Sequence, residues 1–277
     1  MRKLGLALGG GGFRGSAHLG VALELERLHI GVDAISGTSI GAVVGALLAA
    51  GYRAAEIGRA FEFVSARSLL GRDPTRHGLL GQQKLAALLT DLLGDRLIEE
   101  LPIPFAALTV DLISGFEVVL DRGSVVEALL ASTAIPGLFP PRIQAGRLLA
   151  GRLLADGGLR VNLPVAAAKQ LGATRVIAVD LLHDNVPFAL PTSKHSPWTR
   201  WLPTRQTALA ERAIVLMLQT ITAANLRDNP PEVLITPAVN AASSGAFLPQ
   251  AAGFAAGQAA AALHQAALIA LREWRLG

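Results

Sequence analysis

A serine flanked by glycines gives the strongest chemical signal in this chain. Ser39 stands in a G-T-S-I-G stretch, between the apolar run 32–36 and the helix-like run 40–50. A G-x-S-x-G sequence between a strand and a helix is typical of a nucleophile elbow, a tight turn that exposes a reactive hydroxyl above a sheet. Gly37 and Gly41 fit this hypothesis, because larger side chains there would collide with the neighbouring strand and helix. The alternative is that Ser39 is an ordinary helix N-cap.

Four consecutive glycines form a second feature, directly after the apolar strand candidate 3–8. N–H groups of such a loop can bind a phosphate, as in dinucleotide-binding folds, or the oxyanion of an acyl-transfer intermediate. A dinucleotide site also requires an acidic residue at the end of the second strand, whereas this strand ends at Ser36 and its nearby acid, Asp33, lies at the beginning. The oxyanion interpretation is therefore favoured, with three proposed donors: Gly10, Gly11 and Gly12.

An aspartate followed by two glycines is the third feature. Asp156 ends the apolar run 153–156, and Gly157 and Gly158 leave its carboxylate open to approach. An Asp-Gly-Gly sequence alone indicates a turn more often than a catalytic base. In combination with the elbow and the glycine loop, it makes Asp156 a candidate partner for the Ser39 hydroxyl.

Composition and charge argue against several other kinds of site. The chain has no cysteine, which excludes disulfides, thiolate nucleophiles and thiolate metal ligands. Its six histidines show no metal-ligand spacing, so we expect neither a metal nor another cofactor. The net charge is +4, but the basic residues are dispersed and form no long run. This distribution argues against a nucleic-acid partner and favours a solvated face or attraction to anionic lipid.

Strands and helices alternate along the chain, which predicts a three-layer α/β/α fold with a central, mostly parallel mixed sheet. The turn-like sequence 111–115 predicts a hairpin between two of the strands. No domain boundary is evident, and we expect one domain over residues 1–277. The predicted strands are 3–8, 32–36, 105–111, 116–120, 153–156, 175–180 and 232–236; the predicted helices are 16–29, 40–50, 54–64, 82–93, 124–132, 164–171, 208–226 and 251–274.

Two segments bear on where the protein is located in the cell: the N-terminus and a proline-rich segment. Residues 1–8 contain too short an apolar region for a signal peptide and run directly into the glycine loop, so we expect a cytoplasmic protein. Trp198 and Trp201 lie among basic residues in the segment 183–207. They predict either a peripheral contact with lipid headgroups or a loop docked on the domain. The oligomeric state is left open.

The three motifs together resemble the patatin-like phospholipase family, whose members carry G-G-G-x-R-G, G-x-S-x-G and D-G-G or D-G-A in this order. Two further segments are similar to the family: the A-S-x-A-x-P-x-x-F-x-P stretch at 131–141 and the N-x-P that begins at Asn162. The resemblance spans roughly residues 3–182. Two features depart from the pattern. Phe13 replaces a small residue, and G-R-L-L-A occurs twice in succession at 146–155, which obscures the strand register before Asp156.

This resemblance implies a single patatin-like domain that hydrolyses acyl esters of a phospholipid or lysophospholipid. Ser39 would be the nucleophile and Asp156 the base of a catalytic dyad without histidine. One alternative is an α/β-hydrolase with a Ser-Asp-His triad that uses His183, although such folds place the elbow after more than two strands. Another is a non-catalytic nucleotide-binding module that uses the loop 10–15. Residues that would support the motifs are Arg14, Gly15, Gly37, Gly41, Gly157, Gly158 and Asn162.

Overall fold

The computed structural model describes residues 1–62, 77–143, 151–183, 204–239 and 250–277. Strands and helices alternate over most of this length, and short 3₁₀ turns lie at 12–14, 98–100 and 157–159. The elements, in chain order, are β1 (Leu4–Leu8), α1 (Ser16–Arg27), β2 (Ala34–Thr38), α2 (Ile40–Ala49), α3 (Ala54–Glu62), α4 (Gln83–Leu93), β3 (Phe105–Asp111), β4 (Glu117–Leu120), α5 (Val125–Ser132), β5 (Arg142–Ile143), β6 (Leu153–Asp156), α6 (Val165–Gln170), β7 (Arg175–Val179), α7 (Thr204–Asp228), β8 (Val233–Ile235), α8 (Gln250–Leu263) and α9 (Gln265–Leu276).

The strands form one mixed sheet of eight strands, with the path β5-β6-β3-β2-β1-β7-β8 and β4 paired to β3. Strands β3, β2, β1, β7 and β8 are parallel to one another, and the three remaining strands are antiparallel to their partners. The predicted hairpin after β3 is present, because β4 pairs with β3 in antiparallel register. The predicted mostly parallel mixed sheet is confirmed.

Strands β2 and β6 meet end to end along one edge of β3. Strand β2 pairs with β3 as far as Leu108, and β6 starts its pairing at the next residue, Thr109. Strand β4 overlaps both partners on β3, so it must occupy the opposite edge and leave β2 and β6 on the same one. Because β6 is antiparallel to β3, its carboxyl end points towards the carboxyl end of β2. Asp156 and Ser39 are thereby brought to the same place.

Helices cover both faces of the sheet, which confirms the three-layer prediction. A large apolar cluster lies on one face, where Leu6, Leu8 and Ile35 pack with residues of α1, α2, α5 and α8. A smaller cluster lies on the other face, where Ala7 and Ala178 pack with residues of α6 and Leu226 of α7. Among the described residues, most of the buried core therefore lies on the face covered by α1, α2, α5 and α8.

Several predicted boundaries differ from the structure. The predicted helix 251–274 is wrong: α8 and α9 are separate helices, broken at His264 and bent by 70°. Helix α7 begins four residues earlier than predicted, and the short strand β5 was not predicted at all. Among the described residues, no single helix has the length and apolar character of a membrane span; α8 and α9 reach that threshold only if they are counted together.

Helices α1 and α8 cross at glycines that bring the two backbones together. A Cβ added at Gly20 would lie 2.1 Å from the carbonyl oxygen of Phe254, and one added at Gly257 would lie 2.1 Å from the carbonyl oxygen of Ala17. Neither distance is compatible with a methyl group unless the helices move apart. The crossing holds α1, and with it the end of the glycine loop, against the helical layer.

We expect Gly20→Ala to lower the free energy of unfolding by about 1–3 kcal/mol, because the added methyl group meets backbone that cannot rotate away. Gly58→Ala is the matched control, since its Cβ would meet side chains alone, the nearest being the edge of the Phe254 ring at 3.1 Å. The control should change stability little, as the gain of about 1 kcal/mol in helix propensity offsets a small ring shift. Urea unfolding of both variants tests this, and equal effects would contradict the assigned crossing.

Candidate active site

Ser39 lies on a sharp turn between β2 and α2, with φ 54° and ψ −124°. A positive φ is rare for a residue with a side chain and indicates local strain that the surrounding structure must hold. The flanking glycines explain how the turn fits. A Cβ at Gly37 would lie 2.4 Å from the carbonyl oxygen of Gly41, and a Cβ at Gly41 would lie 2.2 Å from that of Leu8. This geometry is that of a nucleophile elbow, and no side-chain N-cap hydrogen bond from Ser39 to α2 is present.

Ser132, the last residue of α5, fixes the backbone of the strained turn. Its hydroxyl oxygen accepts a hydrogen bond from the Ser39 N–H at 2.9 Å and donates its proton to the Leu108 carbonyl oxygen at 2.7 Å. The side chain is fully buried, so both bonds are shielded from water. Sequence reasoning assigned no role to Ser132, although the stretch 131–141 had been noted as similar to the family.

The Asp156 carboxylate is buried at the end of β6, beside the Ser39 side chain. Its Oδ1 also accepts the N–H of Gly158 at 2.8 Å. Burial raises the pKa of Asp156 to about 6, and the Ser39 hydroxyl and the Gly158 N–H oppose that rise only in part. The carboxylate is consequently a stronger base than an exposed aspartate, yet it is still ionised at neutral pH.

The glycine loop lies directly beside Ser39. A Cβ at Gly10 would lie 3.4 Å from the Ser39 Cβ. The N–H of Gly10 is already used, because it donates to the Asn162 carbonyl oxygen at 3.1 Å. This bond corrects the expectation that Gly10 supplies an oxyanion donor. The N–H groups of Gly11 and Gly12 have no hydrogen-bond partner among the described residues, and Gly12 has a φ of +57° that favours glycine.

Two predicted supporting residues hold the loop from opposite sides. Arg14 donates from Nη1 to the carbonyl oxygen of Gly11 at 3.3 Å, so one of its contacts stabilises the loop itself. Asn162 is buried between the loop and the Asp-Gly-Gly turn. Its Oδ1 would lie 2.6 Å from a Cβ at Gly10 and 3.3 Å from one at Gly158. Alanine at Gly10 would therefore displace the Asn162 side chain.

The remaining predicted glycines allow close packing around the site. A Cβ at Gly157 would lie 2.5 Å from the Leu108 carbonyl oxygen, at the point where β2 and β6 meet. A Cβ at Gly15 would lie 2.2 Å from Cγ1 of Ile40, the first residue of α2. The register before Asp156 is also defined, because Leu154 pairs with Asp111 and Asp156 pairs with Thr109.

The two histidines closest to the motifs have other partners. His18 is fully buried in α1, and its Nε2 lies 2.8 Å from the Gly9 carbonyl oxygen. Burial lowers the pKa of His18 to about 4, so the ring is neutral and can donate one hydrogen bond to the loop. His183 is 58% exposed, and its Nδ1 lies 3.8 Å from Asp180. Trp198, Trp201 and residues 146–150 lie outside the described residues.

We expect Ser132→Ala to leave two buried backbone groups without a partner and to lower the free energy of unfolding by about 1–3 kcal/mol. The loss of alignment should also slow covalent labelling of Ser39 by a fluorophosphonate about tenfold or more. Ser124→Ala is the matched control, because it removes the N-cap of the same helix without touching the elbow. Labelling of Ser132→Ala at the wild-type rate would exclude the proposed positioning of Ser39.

Comparison with known proteins gives several relatives of this chain. An uncharacterized NTE family protein of Mycobacterium tuberculosis is 40% identical over 182 residues, which cover 65% of this chain and 49% of that protein. Lysophospholipase nte1 of Emericella nidulans is 34% identical over 217 residues, which cover 73% of this chain and 14% of that protein. The chain thus spans about half, or less, of the length of these curated relatives.

A solved structure and a family model also match this chain. The crystal structure of VipD from Legionella pneumophila aligns with a TM-score of 0.58 and 14% identity, and the alignment covers 98% of this chain and 67% of VipD. This likeness shows a shared fold. The model of the family described as patatin-like phospholipase matches residues 6–169, which include Ser39, Asp156 and the glycine loop. The chain therefore belongs to the patatin-like phospholipase family.

Proposed function

We propose that this protein is a serine hydrolase that cleaves acyl esters of lipids, either phospholipids or lysophospholipids. The observation that carries the proposal is the buried Asp156 carboxylate beside the Ser39 hydroxyl on its elbow. Family membership supports a lipid hydrolase, and a relative named lysophospholipase supports this substrate class. The N–H groups of Gly11 and Gly12, which have no partner among the described residues, would supply the third element that ester hydrolysis needs.

In the first step, the Ser39 oxygen attacks the acyl carbon while Asp156 takes the hydroxyl proton. The tetrahedral intermediate places negative charge on the former carbonyl oxygen. We assign its stabilisation to the N–H groups of Gly11 and Gly12, with the N–H of Ile40 as a further donor at the start of α2. Removal of one such donor typically lowers turnover by about 10²–10³.

In the second step, the protonated Asp156 returns its proton to the leaving alcohol, and the acyl group stays on Ser39. Water then attacks the acyl-enzyme, again with Asp156 as the base, and the fatty acid is released. The raised pKa suits both transfers, since a proton held with a pKa of about 6 is taken and returned near neutral pH more readily than one held by an ordinary aspartate.

We expect Ser39→Ala and Asp156→Asn to lower the hydrolysis of lysophospholipid and of a soluble p-nitrophenyl ester by about a thousandfold or more. Wild-type kcat/KM should fall as the pH drops through about 6, because protonation removes the base. His183→Ala is the control and should keep most of the activity.

A triad with His183 predicts the reverse: an inactive His183→Ala and an active Asp156→Asn. Rates on diacyl phospholipids, measured beside those on lysophospholipids, identify the preferred substrate.

We expect Asp156→Asn to be more stable than the wild type above about pH 6. The native carboxyl binds its proton more tightly than the unfolded one, so ionisation between pH values of about 4 and 6 costs stability, and the full cost remains at higher pH. A rise of the pKa from 3.8 to about 6 corresponds to on the order of 3 kcal/mol. The advantage of Asp156→Asn should shrink as the pH falls towards 4.

Thermal unfolding across this pH range measures the difference. Asp111→Asn is a control of opposite sign, because hydrogen bonds from Ser114 and from the backbone lower the pKa of Asp111. That substitution should destabilise the protein at neutral pH, and the effect should fade as the pH falls and the wild-type carboxylate becomes protonated. A destabilised Asp156→Asn at about pH 8 would contradict the assigned burial cost.

A further inference from the structure

Large exposed apolar side chains gather at the edge of the sheet that carries Ser39. Parallel strands end there, and the segments that follow them expose apolar residues to solvent. Phe13 follows β1 and is 48% exposed, and Leu159 follows β6 and is 41% exposed. In the hairpin after β3, Ile113 is 70% exposed and Phe116 is 68% exposed. Four large apolar side chains are thus exposed at the edge that carries Ser39. A group of this kind indicates an interaction surface, whereas a single exposed apolar residue does not.

Helix α7 adds a second set at the same edge. It connects β7 to the parallel strand β8, so its amino-terminal part lies at the carboxyl ends of the strands. Leu218 lies beside Gly158, and the Gln219 side-chain amide donates to the Leu182 carbonyl oxygen. The residues before this point present apolar side chains to solvent, of which Ile214 is 50% and Met217 is 63% exposed.

The sequence of α7 agrees with an apolar environment on its outer face. Residues 213–226 contain no charged side chain, although only the final part of this stretch packs on the sheet, through Leu226. A surface helix in water normally carries charged residues on its outer face. We call six residues of this edge the apolar rim: Phe13, Ile113, Phe116, Leu159, Ile214 and Met217.

Both signs of charge lie beside the apolar rim. Arg14 follows Phe13, the exposed Arg160 follows Leu159, and Arg212 precedes Ile214 on α7. The carboxylates of Asp156 and Asp180 are buried at this edge, Glu117 beside Phe116 is exposed, and Glu211 directly precedes Arg212. Apolar side chains interspersed with arginines fit a surface that combines hydrocarbon with negative charge.

We propose that the apolar rim docks the protein on the surface of an anionic phospholipid membrane. Phe13, the hairpin and α7 enter the boundary between headgroups and acyl chains, while the exposed Arg160 binds lipid phosphates. This inference rests on the proposed function, because it brings Ser39 to the layer where an acyl ester lies. A second copy of this chain fits less well, since a two-fold contact would pack this arginine-bearing face against the same face of its partner.

The test uses the inactive Ser39→Ala protein, so that vesicles are not consumed. Its sedimentation is measured with vesicles of phosphatidylcholine, with and without phosphatidylglycerol. We expect binding to the anionic vesicles that weakens as salt rises. Replacement of Ile113, Phe116, Ile214 and Met217 by Gln should weaken that binding about tenfold or more. The matched control replaces Leu97 and Leu276 by Gln, which are exposed apolar residues at the opposite edge.

Absence of binding by the Ser39→Ala protein, or equal binding by the rim and control variants, would overturn the proposal. So would a wild-type dimer in light scattering that the rim substitutions convert to monomer, because the rim would then be an interface between copies. Thermal unfolding confirms that both variants are folded. Hydrolysis of a soluble ester by the wild type is measured separately. Its absence would refute the proposed function, whereas vesicle binding by the inactive protein still decides the docking face.

Discussion

The end-to-end meeting of β2 and β6 along β3 is the constraint on which the site depends. Parallel strands alone would place Ser39 and Asp156 at the ends of neighbouring strands, with at least one strand spacing between them. Here the pairings with Leu108 and Thr109, two consecutive residues of β3, bring both carboxyl ends to one point. The Leu108 carbonyl oxygen then accepts the Ser132 hydroxyl, which in turn holds the Ser39 N–H. One stretch of β3 therefore sets the position of the elbow, the base and their support.

The site also stores unfavourable free energy that the rest of the fold must offset. Ser39 has a strained backbone, Asp156 is ionised in a buried environment, and the Asn162 Nδ2 is buried without a partner among the described residues. Each is destabilising on its own. The large apolar cluster lies on the face of the sheet that α1, α2, α5 and α8 cover. Burial of these apolar side chains supplies free energy that compensates for the unfavourable groups.

The sequence predicts much of this arrangement because the elbow and the loop demand glycine for steric reasons. The alternation of strands and helices was sufficient to predict the type of sheet. The three motifs were sufficient to predict that Ser39 and Asp156 are neighbours. Other features have no such signature. A buried serine such as Ser132 looks like any helix residue, and a run of glycines does not show that the Gly10 N–H is already bonded. The break at His264 was missed because an alanine-rich pattern without proline continues across it.

The parts of the site differ in how firmly they are fixed to one another. Ser39 and Asp156 are both carried by strands that pair with β3, so bending of the sheet moves them together and preserves their separation. The glycine loop extends from β1, and its base is held by the bonds of Gly9 and Gly10 and by His18. Thermal motion or a loosened core therefore first alters the distance between Ser39 and the proposed oxyanion donors, Gly11 and Gly12. In the proposed mechanism, proton transfer between Ser39 and Asp156 is therefore less sensitive to the stability of the fold than stabilisation of the oxyanion.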